Sequence, residues 1–185
     1  MNAQPTAPIS KQQPGLQDDE DFNLVELWLR TDPRRWIAGA LAGAFAGAVA
    51  LALAMVMSAM SGREFWYAPK LLGTILLGAF ATETGPHFGA ILAGIVVMEA
   101  ICVFWGVVYA HFTGTNSLGP LLAMGVVWGL FSWVFTWNLF LPAFRTIYAA
   151  QISPAAAFPI CLAYGLSMTS VAFFDRMISG NRAVR

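Results

Sequence analysis

The stretch WIAGALAGAFAGAVALALAMVMSAM, Trp36 to Met60, decides how this chain folds. It carries no charged side chain. As a helix of about 25 residues it reaches roughly 37 Å, enough to cross a ~30 Å hydrocarbon core with some tilt. A helix this long with no polar face is a poor fit to water. Glycine recurs every fourth residue at Gly39, Gly43 and Gly47, and alanine holds each even position from Ala38 to Ala54. Such a surface gives lipid tails little to grip and lets a second backbone come close. The stripe therefore reads as a helix-packing seam, and Gly125 and Gly129 further along read as seam positions too.

Three more apolar stretches follow, at about 88–112, 118–141 and 154–174. With 36–60 they predict an all-α fold, a polytopic bundle of four transmembrane helices. Between the first and second lies Ala68 to Ala81, apolar but interrupted. It amounts to only about 21 Å of helix, too short to span. Begun by Pro69 and anchored by Trp66, Tyr67 and Lys70, it reads as an interfacial or re-entrant helix. Upstream, Phe22 to Arg30 suits an interfacial amphipathic helix within a segment 22–35. Thr31-Asp32-Pro33 then supplies a cap and a proline for the start of the first span. Residues 1–21, with the run Asp18-Asp19-Glu20-Asp21, bury too little apolar surface to order and read as an acidic disordered tail. Residues 175–185 read as a short basic tail. The polar N-terminus lacks the basic and short apolar regions of a cleavable signal peptide, so insertion is expected to rely on the first span.

Bulk composition agrees. Hydrophobic residues make up 58% and charged residues 11%, against roughly 25% charged in soluble domains. Net charge is zero, which offers no basic groove for nucleic acid. Lys11, Arg30, Arg34, Arg35, Arg176, Arg182 and Arg185 fall on the side of the termini, and Arg63, Lys70 and Arg145 on the other. That bias places both termini in the cytoplasm and the chain in the inner membrane. Cys102 and Cys161 lie in apolar runs and read as small hydrophobes. No CxxC, Cys/His cluster, P-loop, GxGxxG, GxSxG or HExxH pattern occurs, so neither a metal site nor catalysis by this chain alone is expected.

Glu99 is the single formal charge inside any of the four stretches. A carboxylate at mid-bilayer costs about 2.5–3.5 kcal/mol on insertion scales, so function is the default reading. By depth, Tyr164 and Ser132 are its candidate companions, and their hydroxyls are expected to bond the carboxyl if the faces converge. With no basic residue at that depth the carboxyl is expected neutral at pH 7. It reads either as a proton- or cation-carrying group or as interhelical glue. His87 and His111 bracket the second span, about 36 Å apart along a helix, too far to share one haem iron. Glu83, His87, Asn138, Arg145 and Gln151 gather near the face opposite the termini, where a quinone headgroup or an external partner could use them, as could any solvated loop. Trp128, Trp133 and Trp137 read as rings facing lipid or another subunit.

The run Gly39-x3-Gly43-x3-Gly47 leading into Met55-Val56-Met57-Ser58-Ala59-Met60, with Tyr164-Gly165 in the last span, resembles uncharacterised small bacterial inner-membrane proteins of the YagU-like kind. The resemblance covers about residues 35–174 and implies a four-helix topology without an activity. Members often carry a His in the second and fourth helices. Here Met98-Glu99 and Cys161 stand near those places, so no histidine-based role carries over. Three functions remain open. The first is an accessory, non-catalytic subunit of a larger membrane complex, respiratory or otherwise energy-converting. The second is a small oligomeric transporter or ion pathway around Glu99. The third is a quinone- or haem-associated redox subunit. No cofactor is expected outside the third. The expected partners are the lipid bilayer and either other membrane subunits or further copies of the chain.

Overall fold

The computed structural model describes residues 32–85, 87–114, 116–144 and 151–180. The acidic tail, the interfacial stretch before Asp32, Arg145 and the end of the basic tail lie outside these residues. Among the described residues all regular structure is helical. Four helices are long and apolar enough to cross a membrane: Pro33–Met60, Phe88–Phe112, Leu118–Phe140 and Pro154–Gly180. The chain is an all-α, multi-pass bundle, as its hydropathy implies.

Helix α1 (Pro33–Met60) starts where the sequence supplies a start. The Asp32 carboxylate accepts the Arg34 N–H at 3.1 Å, and Pro33 occupies the first turn. Helix α2 (Tyr67–Leu77) is the short apolar piece, ended by Gly78 in the left-handed region at φ 69° and continued by a 3-10 turn, Gly78–Thr82. Helix α3 (Phe88–Phe112) is the second span. Helix α4 (Leu118–Phe135) runs into a π-helical turn, Thr136–Phe140, and then a last turn, α5 (Leu141–Phe144). Leu141 donates its N–H to the Thr136 carbonyl, five residues back. Pro142 has no N–H to give Asn138, and its ring crowds that carbonyl, so widening the preceding turn relieves the conflict. The fourth span comprises α6 (Pro154–Ser167), a 3-10 turn at Met168–Ser170 and α7 (Val171–Gly180). It runs six residues beyond the expected end near Phe174. Asp175, within this extension, pairs with Arg35 at 3.7 Å.

Helix α1 is the hub. Its glycines face α3: a Cβ on Gly39 would sit 2.5 Å from both the Ala110 Cβ and the Gly106 carbonyl oxygen, and one on Gly43 would collide with the Cys102 carbonyl. The adjacent alanine row, Ala38, Ala42, Ala46 and Ala50, is wholly buried against a core containing Tyr109, Trp128, Tyr164, Met168 and Val171. Two more backbone-close seams complete the bundle. Gly94 lies on the Pro69 carbonyl and Gly73 on Ala90, which docks α2 onto α3. Gly165 meets Gly125 and Gly129, which docks α6 onto α4. Between membrane helices such contacts carry the stability that the hydrophobic effect does not supply. The second and third spans instead meet through rings: Trp105 touches Trp128, Phe131 and Phe135 at centroid distances of 5.8, 5.6 and 5.1 Å. Trp128, expected to face outward, is 8% exposed. Its place is set by Tyr109 and Trp105, whose rings fill the space that no glycine pairing closes.

Polar clasps hold both ends. At the Asp32 end, Arg35 donates to the Ala110 carbonyl at 3.1 Å and to the Asn116 side chain at 3.2 Å, and pairs with Asp175 at 3.7 Å. Asn116 itself donates to Asp175 at 2.8 Å. The first, second and fourth spans and the 113–117 turn are thus tied together. At the opposite end Lys70 is 1% exposed, where the sequence suggested an interfacial anchor. Its ammonium donates to Glu64 Oε2 at 2.8 Å, the Glu83 carbonyl at 2.6 Å and the Gly85 carbonyl at 3.0 Å. Glu64 Oε1 also accepts the Gly85 N–H at 3.1 Å. All three ammonium protons are used, which is how a lysine can be buried here.

Candidate functional site

The expected meeting of Glu99, Ser132 and Tyr164 does not occur as drawn. Tyr164 donates its hydroxyl to the Cys102 backbone carbonyl at 3.2 Å. Ser132 and Tyr164 line a common cavity, whereas Glu99 is not among its lining residues. Cys102 and Glu99, three apart on α3, share a face, and both side chains on it are turned towards α1. There a Cβ on Gly47 would lie 3.0 Å from Glu99 Oε2. Gly47 leaves the notch that receives the carboxyl. Glu99 is half-buried, and Val96, one turn away on the same flank, is 55% exposed. The carboxyl therefore sits at the outer rim of the α1–α3 seam, near the middle of α3.

The cavity, of about 140 Å³, is partly open. All four spans and α2 contribute to it, with Ala50, Leu72, Cys102, Ser132, Ala157 and Tyr164 marking its walls. Phe131, Phe135 and Phe140 form an aromatic side, and Thr136 lies one turn on from Ser132 on the same face. Both cysteines reach this space and both are free thiols. A second, smaller recess at the Asp32 end is polar, bounded by Asp32, Arg35, Trp36, His111 and Thr113.

Among the described residues, the candidates on the Lys70 face each have their own neighbours. Glu83 is exposed, and its backbone carbonyl serves Lys70. His87 is half-buried with its ring 5.2 Å from Phe80. Asn138 is exposed and donates to the Val134 carbonyl at 2.9 Å. Arg63 joins this face to the start of the fourth span: it lies 4.6 Å over the Tyr67 ring and donates to the Gln151 carbonyl at 3.1 Å. Tyr67 donates to the Gln151 side chain at 3.0 Å. At the other end His111 lies 6.4 Å from Trp36 between ring centroids. Among the described residues no group of three or more His, Cys, Asp or Glu could hold a metal ion.

Fold and site define a class: an all-α, multi-pass membrane protein whose spans are packed through glycine. No family model matches the chain, and neither a curated protein nor a solved structure matches it.

Proposed function

We propose that this chain is a non-catalytic subunit of a larger integral membrane complex, and that the rim of the α1–α3 seam around Glu99 meets a partner. The observation that carries this is the position of Glu99 itself. A carboxyl near mid-membrane costs about 2.5–3.5 kcal/mol on insertion scales unless something covers it. Here one side is covered by Gly47, and the flank bearing Val96 and Ala100 is exposed. A partner helix offering a hydrogen-bonding group would complete the carboxyl's surroundings. Three other polar side chains of the bundle are committed to internal bonds: Lys70 in its clasp, Arg35 in the opposite one, Tyr164 on a backbone carbonyl. An ion pathway centred on Glu99 finds less support, since the carboxyl does not line the cavity.

The basic residues favour termini in the cytoplasm, with the Lys70 face outside, and a bacterial inner membrane is the proposed location. Four spans return the chain to its starting side, in keeping with the Arg35–Asp175 pair. The test is a photo-crosslinking amino acid placed at Val96 or Ala100 in native membranes. A discrete adduct with a different protein, lost in Glu99→Leu and kept in Glu99→Gln, is expected. Lipid adducts alone, or a dimer of the chain alone, overturn the hetero-complex reading.

A further inference from the structure

We infer that the cavity between the spans is a binding site for a single flexible hydrocarbon chain, a lipid acyl chain or an isoprenoid tail, that enters from the surrounding membrane. It arises because α3 and α4 do not close on each other. Helices α1, α2 and α3 are joined by Gly39, Gly43, Gly73 and Gly94, and α4 and α6 by Gly125, Gly129 and Gly165. No comparable seam joins α3 to α4. Rings of Trp105, Trp128, Phe131 and Phe135 bridge them on one side of the gap, and the cavity is what stays unfilled.

Three features specify the occupant. The first is depth. The walls run from Tyr164 and Cys102, well inside their spans, to Ala157 and Leu141, near the Lys70 end of theirs. Ala157 to Tyr164 alone is about 10 Å of helix. The cavity therefore lies at hydrocarbon depth, where chains and not water are the solvent. The second is chemistry. The walls are predominantly apolar; Ser132, Thr136 and Tyr164 add hydroxyls, and the Tyr164 proton is already given to a carbonyl. Apolar cavities of this kind stay dry, and an empty one costs its lining the contacts that a chain restores. The third is size. A volume of about 140 Å³ admits a chain segment. It does not admit a helix, which with side chains is roughly 10–12 Å across. The exposed rim at Glu99 is a separate surface, so the two proposals stand or fall apart.

The full chain would be reconstituted in phospholipid vesicles holding a trace of either a phospholipid with a diazirine in its acyl chain or a prenyl alcohol with a diazirine in its tail. After irradiation, adducts are mapped by peptide mass spectrometry. Adducts at Ile101, Phe135 and Ile160 are expected at several times the yield at the lipid-facing Leu122 and Val126, and unlabelled chain in excess should suppress only the former. Reaction with the acyl probe alone assigns a phospholipid chain, and reaction with the prenyl probe alone an isoprenoid one. Ala157→Phe, which fills the cavity from α6, should cut the cavity adducts at least fivefold; Ser132→Phe does so from α4. Equal yields at cavity and surface positions in the wild-type protein, with no selective competition, overturn the inference even if neither variant folds.

Discussion

Replacing Lys70 with methionine tests the architecture at its most committed polar side chain. Methionine keeps much of the length and apolar stem, so the change removes mainly the ammonium. Two of its three bonds go to backbone carbonyls, Glu83 at 2.6 Å and Gly85 at 3.0 Å. Hydrogen bonds to a charged group contribute about 1.5–3 kcal/mol each in net terms. Loop carbonyls near the surface recover part of that from water, which leaves about 3 kcal/mol for the pair. The bond to Glu64 is kept out of this sum, because that carboxylate is 42% exposed and water takes over its solvation. Unfolding in mixed micelles by a graded rise in SDS, followed by tryptophan fluorescence, measures the difference directly. Lys70→Arg should fall between wild type and Lys70→Met, since a guanidinium keeps the charge but not the compact three-way geometry. Protease cleavage between residues 61 and 87 should also speed up in Lys70→Met, because the clasp is what fastens both loops to α2. A loss under ~1 kcal/mol with unchanged cleavage would mean that the buried ammonium holds nothing together.

Acid should release the same clasp. Glu64 is held below its ordinary value of 4.5, first by the hydrogen bond from Lys70 and then by the Gly85 N–H. A carboxyl whose folded pKa is depressed stabilises the fold fully above its unfolded pKa and loses that contribution as pH falls through the folded one. Wild type should therefore lose stability below about pH 4.5 in excess of Glu64→Gln, and parallel pH curves for the two would refute this. Gly165→Val should destabilise by about 3 kcal/mol or prevent folding, because the new Cβ would sit 2.6 Å from Gly129 Cα, while Gly89→Ala, with nothing within 4 Å, should stay within about 0.5 kcal/mol. Tyr164→Phe should cost about 1 kcal/mol in the same assay, the loss of one bond to the Cys102 carbonyl. Arg35→Ala should be worse than Asp175→Asn, since it also abandons the Ala110 carbonyl; equal losses would place the whole effect in the ion pair.

The spans and their number were legible in the residues, and α1 could be marked as tightly packed from Gly39, Gly43 and Gly47 alone. The opposing side of each seam was not. Gly106 and Gly165 are ordinary glycines until α3 and α6 are set at a particular height and rotation against α1 and α4. Lys70 shows the limit most clearly. Beside Trp66 and Tyr67 it fits the pattern of an interfacial anchor, and only the return of the 78–85 segment over α2 brings two carbonyls to it. Glu99 could be singled out by its place in the second span, but that Gly47 receives its carboxyl and that the Tyr164 hydroxyl goes to the Cys102 carbonyl could not be read from the residues.

What the sequence by itself determined is the solvent of each segment. Hydrocarbon length and the cost of burying charge act on every stretch locally, so runs of apolar residues name the four spans without knowledge of one another. Tertiary structure decided which side of each helix meets which neighbour: Glu99 against Gly47, Tyr164 on the Cys102 carbonyl, the gap between α3 and α4. The reason is geometrical. A helix apolar on all sides carries almost no amphipathic signal about its rotation, so fit between backbones a few ångströms apart sets it.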